Sequence, residues 1–120
     1  MAESRTHKNL EVWKSSIQFV TDIYKITSVF PKVELYGIVA QMRRAAVSVP
    51  SNIAEGASRR SSVEFKHFLH IALSSAAELN TQLIISHNIG YLDLERMESL
   101  VNELDRISKM LQGLIKSLNR

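Results

Sequence analysis

Ile38-Val-Ala-Gln-Met-Arg-Arg-Ala-Ala-Val-Ser-Val-Pro-Ser-Asn-Ile-Ala-Glu-Gly56 is the stretch on which the fold turns. Ile38, Val39, Met42, Ala46, Val49 and Ile53 recur mostly at steps of three and four, with Leu35 ahead of them, and draw one apolar face along a helix. Gly37, Gln41, Arg44, Ser48, Asn52 and Glu55 form a continuous polar row on the opposite side. Pro50 lacks an N–H and clashes with the turn before it, so it either ends the helix near Val49 or kinks a longer one. The apolar face resumes at Ile53, which favours the kink. Pro31, tolerated in a first turn, sets the start, and the helix is expected over about 32–57.

Upstream, a first helix is expected over about 10–29. It carries two apolar stripes: Leu10, Trp13, Ile17, Val20 and Tyr24, and on another face Val12, Phe19, Ile23, Ile26 and Phe30. One stripe suffices to face a bundle core. The second series therefore reads either as part of a wide core face or as a candidate oligomer interface. Downstream, Gly56-Ala-Ser-Arg-Arg-Ser-Ser62 is a turn, and Ser61-Ser-Val-Glu64 has the spacing of a capping box. A third helix over about 62–87 follows, with Phe65, Phe68, Leu69, Ala72, Ala76, Leu79 and Leu83 on one side. Gly90 supplies a permissive turn and Asp93 an N-cap for a fourth helix over about 94–118, whose stripe runs from Met97 through Leu104, Ile107 and Leu111 to Leu118. Four helices with short connections predict a single all-α domain over residues 1–120, an up-and-down antiparallel four-helix bundle with helix two kinked at Pro50 and a polar arm over 1–9.

The totals agree. A chain of 120 residues with 45% hydrophobic and 22% charged residues can enclose a core. The absence of cysteine removes disulfides, thiolate metal sites and cysteine nucleophiles together. No apolar run approaches a membrane span and the polar start has no signal-peptide character, so a cytoplasmic location without membrane partners is expected. The formal net charge is +3, and it is concentrated: between Gln41 and His70, Arg43, Arg44, Arg59, Arg60 and Lys66 face two acids, Glu55 and Glu64. Those five are candidate nucleic-acid-binding residues, which His67 and His70 join at lower pH.

Catalytic patterns are missing. Glu64-Phe-Lys-His67 is a Glu-x-x-His, yet a di-metal bundle site needs a second such pair and two further glutamates. The glycines are isolated, so there is no phosphate loop, and no serine sits in a nucleophile elbow. The expectation is a non-enzyme with no cofactor, no metal and no small-molecule substrate. The polar row Gln41, Arg44, Ser48, Asn52 and Glu55 is rich in serine and asparagine, which helix propensity does not select for plain surface. A solvated face and an inter-subunit or docking surface both fit it.

Phe30-Pro-Lys-Val-Glu34, Tyr36-Gly-Ile38 and Gln41 through Gly56 together resemble the signature of a bacterial four-helix-bundle family encoded in intervening sequences of 23S rRNA genes. The resemblance extends to Leu10-Glu-Val-Trp-Lys14, Glu64-Phe-x-x-Phe-Leu-x-x-Ala72, Ser75-x-x-Glu78-Leu79 and Gly90-Tyr-Leu92. It implies an up-and-down bundle that assembles as a homo-oligomer, a pentamer being favoured. Arg43, Arg44, Ser48, Asn52 and Glu55 would be signature residues with a structural or inter-subunit role. It also implies a relation to the accessory variability proteins of diversity-generating retroelements, which engage a reverse transcriptase and its RNA. The leading expectation is an oligomeric, non-enzymatic bundle contacting RNA or ribonucleoprotein through its basic segment. A protein-interaction scaffold without nucleic-acid binding and a retroelement accessory protein are the alternatives.

Overall fold

The structure, a computed structural model, describes residues 7–119. Of the expected polar arm, residues 1–6 lie outside the described residues and His7–Asn9 form a 3-10 turn. Four helices follow: α1 (Glu11–Thr27), α2 (Ile38–Ala57), α3 (Ser62–Asn88) and α4 (Leu94–Ser117). They pack in sequence, α1 on α2, α2 on α3 and α3 on α4, and α4 closes against α1. This is the all-α bundle that the periodicity predicts, 48 Å long and 19–23 Å across.

The joints follow from local chemistry. Ser61 Oγ accepts the Glu64 N–H at 3.1 Å and Asp93 Oδ1 accepts the Arg96 N–H at 2.7 Å, so α3 and α4 both start on side-chain caps. Gly90 sits at φ +90°, in the left-handed region that glycine enters without a Cβ penalty, and turns α3 toward α4. α2 begins at Ile38 rather than at Lys32. Lys32–Glu34 instead make a separate 3-10 turn, and Gly37, at φ −106° and ψ −118°, breaks the helical path before Ile38. At the other end α2 runs without interruption through Pro50 to Ala57.

The core is built from Val39, Met42, Ala46, Val49 and Ile53 of α2, from Leu69, Ala72, Ala76, Leu79 and Leu83 of α3, and from Leu104, Ile107 and Leu111 of α4. α1 inserts Val12, Phe19 and Ile23, with Phe30 beyond its end. These residues, with Ile26, were the candidate oligomer interface, and the assignment is corrected: four of the five are buried inside the chain's own core, and Ile26 packs half-buried against it. Two buried hydroxyls share this face. Ser16 and Thr27 bond back to their own helix, Ser16 Oγ to Trp13 O at 2.8 Å and Thr27 Oγ1 to Ile23 O at 2.7 Å. The other stripe, Leu10, Trp13, Ile17, Val20 and Tyr24, is the outer one, and Ile17 and Tyr24 are exposed.

Candidate functional site

The five basic candidates do not gather into one patch. Arg43 reaches back to α1: its Nε donates to Thr27 Oγ1 at 3.0 Å, its Nη2 to Tyr24 O at 3.3 Å, and its guanidinium lies 4.5 Å from the centre of the Tyr24 ring. Arg59 pairs with Glu55 one turn back and lies over the Phe68 ring. Lys66 donates to Asn119 Oδ1 at 2.6 Å, tying the start of α3 to the end of α4. Arg44 and Arg60 are exposed and make no ion pair among the described residues. The rise of α2 alone separates these two by roughly 20 Å. His67 and His70 are exposed on α3. Among the described residues no three His, Asp or Glu side chains converge where a metal ion could bind.

The polar row of α2 divides in two. Its middle is structural: Ser48 Oγ and Ser75 Oγ meet at 2.8 Å across the α2–α3 seam, and Asn52 Nδ2 donates to Ser48 O at 2.8 Å and to Ser48 Oγ at 2.9 Å. Gly56 completes the seam by letting α2 close onto Phe65 and Phe68. Gln41, Arg44 and Glu55 remain exposed.

A second contact joins segments that sequence reading left apart. Tyr91 Oη donates to Glu34 Oε2 at 2.8 Å, and the Tyr91 ring stacks at a tilt on Phe30, centroids 5.3 Å apart. The hydrogen bond to the Glu34 carboxylate, aided by its negative charge, pushes the Tyr91 phenol above its ordinary 10.0. This clasp holds the 31–37 connection against the α3–α4 turn.

Outside the clasp, the connection and the α1–α2 pair enclose a surface groove of about 620 Å³ lined by Tyr24, Leu35, Tyr36, Ala40, Arg43, Arg44, Val47 and Ser48. Val47 also lines a second, apolar hollow of about 270 Å³ between Trp13, Ile17 and Val20 of α1 and Pro50 and Ala54 of α2. Tyr24, Tyr36, Ala40 and Val47 were not among the candidate site residues. A signal for the α2 members was available: Ala40, Arg44, Val47, Ser51 and Ala54 step by four and three, a third row between the apolar and polar faces.

Geometry of this kind defines a helical bundle in which Ser48, Asn52 and Gly56 of the long motif are spent on packing α2 against α3. The sequence matches the family model of the 23S rRNA-intervening sequence proteins over residues 8–113, and the chain belongs to that family. It is similar to a solved structure from Bacteroides thetaiotaomicron, a protein of unknown function from the S23 ribosomal protein family. The two are 29% identical, with a TM-score of 0.79 over 88% of this chain and 98% of that one. Comparison with curated proteins finds no match. No described helix is long and apolar enough to cross a membrane.

Proposed function

We propose that the chain is a non-enzymatic, self-associating bundle that works in the cytoplasm in contact with RNA or ribonucleoprotein. The observation that carries the reading is the apolar hollow between Trp13, Ile17 and Val20 of α1 and Val47, Pro50 and Ala54 of α2, in whose lining Ile17 and Val47 are exposed. Scattered apolar residues are ordinary on a surface, whereas a contiguous apolar set around a hollow marks an interaction site. The outer stripe of α1 thus takes the place of the stripe first considered for the subunit interface, and the pentamer implied by the resemblance is the expected assembly. The RNA half of the reading is supported by the family, which is described by its origin in 23S rRNA-intervening sequences, and by the basic residues that stay exposed.

Light scattering coupled to size exclusion tests both halves on the purified protein, with and without RNA at low salt. The expected result is a mass of several subunits that grows when RNA is added. A monomer indifferent to RNA would overturn the reading.

A further inference from the structure

Tyr36 is 92% exposed, and the fold gains almost nothing from holding its ring in water. The ring belongs to the lining of the α1–α2 groove, where Tyr24 is the second aromatic. Arg43 is fixed there by its bonds to Thr27 Oγ1 and Tyr24 O, so its charge is delivered at one place and not on a swinging side chain. Arg44, the next residue, stands exposed without an ion pair among the described residues. The groove lining thus combines two tyrosines and two guanidinium groups, and contains no carboxylate among the described residues.

Those four side chains select an occupant. An apolar helix from a protein would cover both guanidinium groups and leave their charges desolvated without an acid, which is costly. A phosphodiester backbone supplies the missing negative charge, guanidinium groups bind it through charge-assisted hydrogen bonds, and its bases offer flat faces to the exposed rings. Only an unpaired strand offers those faces, because in a duplex they are stacked on one another. We infer that the groove between Tyr24, Tyr36 and Arg44 binds single-stranded RNA, with a base stacked on Tyr36 and a backbone phosphate held by Arg44. This rests on the RNA reading above and gives it a location. The Arg59–Arg60 turn is the weaker site: Arg59 is paired with Glu55, whereas no carboxylate lines the groove among the described residues.

The test is fluorescence anisotropy of the full chain with a labelled single-stranded RNA of about 12 nucleotides, and with the same strand annealed to its complement. The single strand is expected to bind more tightly than the duplex at low salt. Tyr36→Ala is expected to weaken binding about five- to a hundredfold, while Tyr36→Phe, which keeps the ring, stays within about twofold of the parent. Arg44→Ala lowers affinity and reduces the slope of log affinity against log salt by about 0.7, the loss of one phosphate contact on a single strand. Solution mass and melting temperature stay unchanged in all three. If RNA binds but neither Tyr36→Ala nor Arg44→Ala weakens it, the groove is the wrong site and the RNA reading survives. Tighter binding of the duplex also overturns the groove. If Tyr36→Ala lowers the solution mass and leaves RNA affinity intact, a second copy of the chain occupies the groove instead. If the parent protein binds no RNA at low salt, both readings fall together.

Discussion

A methyl group placed on Gly56 would come to 2.8 Å from Phe65 Cδ1, 2.9 Å from Phe68 Cβ and 3.1 Å from Phe65 O. The phenyl tip could move, but a backbone carbonyl and a Cβ cannot shift without separating α2 from α3. Overpacking of this kind costs about 1–3 kcal/mol, against a helix-propensity gain of at most about 1 kcal/mol. Gly56→Ala is therefore expected to lower the melting temperature by several degrees. Gly113 is the internal control: it lies inside α4 with nothing within 4 Å of its added Cβ, so Gly113→Ala should stabilise by about 0.5–1 kcal/mol. Thermal melts of the two variants should move in opposite directions. Tyr91 gives a pH prediction at the same scale. Its phenol is raised above 10.0 by the bond to Glu34, so the folded state holds that proton more tightly than the unfolded chain. The stabilisation is complete below the ordinary phenol range and is lost as pH rises through the folded value. Melting temperatures followed from about pH 8 to pH 11 should fall less steeply for Tyr91→Phe than for the parent. Parallel curves would show that the clasp does not persist in solution.

Between elements, the α2–α3 seam is where the long motif acquires a physical meaning. Ser48, Asn52 and Gly56 repeat at steps of four, and each either bonds along the seam or makes room for α3. Ser48→Ala strands the Ser75 hydroxyl in a half-buried seam and is expected to cost about 1 kcal/mol. Ser48→Ala with Ser75→Ala removes both partners and should cost less than the two single changes added together, a coupling readable in a double-mutant cycle of denaturant unfolding. Additive effects would mean that the two hydroxyls bond to water and not to each other. The same seam shows what was legible beforehand. The apolar periodicity of α2, α3 and α4 located their core faces, because a single stripe has only one way to point. α1 offered two stripes, and its periodicity could not say which turned inward; the decision lay with Ser16 and Thr27, whose back-bonding removes the penalty that a buried hydroxyl otherwise carries. The start of α2 was misplaced for a similar reason. Pro31 is compatible with a helix start, but Lys32–Glu34 close into a 3-10 turn, Gly37 leaves the helical path, and the bond from Tyr91 to Glu34, 57 residues away, clasps the connection in that form. The groove was legible only in its α2 row, because the rest is assembled from α1 and the connection, which come together only in the fold.

The whole molecule is a rod, and its open α1–α2 side sets the last prediction. A side 48 Å long and about 20 Å wide can supply the roughly 800 Å² per partner that a standard interface buries. Charges placed on that side should abolish association without touching the core, because Ile17 and Val47 are each about 40% exposed. Ile17→Lys combined with Val47→Lys is expected to reduce the solution mass to one subunit. If association stabilises the folded chain, the melting temperature of the parent rises with protein concentration by mass action, and that of the double variant does not. At high dilution the two proteins should melt together, since the substitutions lie outside the chain's own core. An unchanged mass in the variant would remove α1 and α2 from the subunit interface. A second exposed apolar set, Ile84, Ile85, Ile89 and Leu94 around the α3–α4 turn, would then be the surface to substitute next.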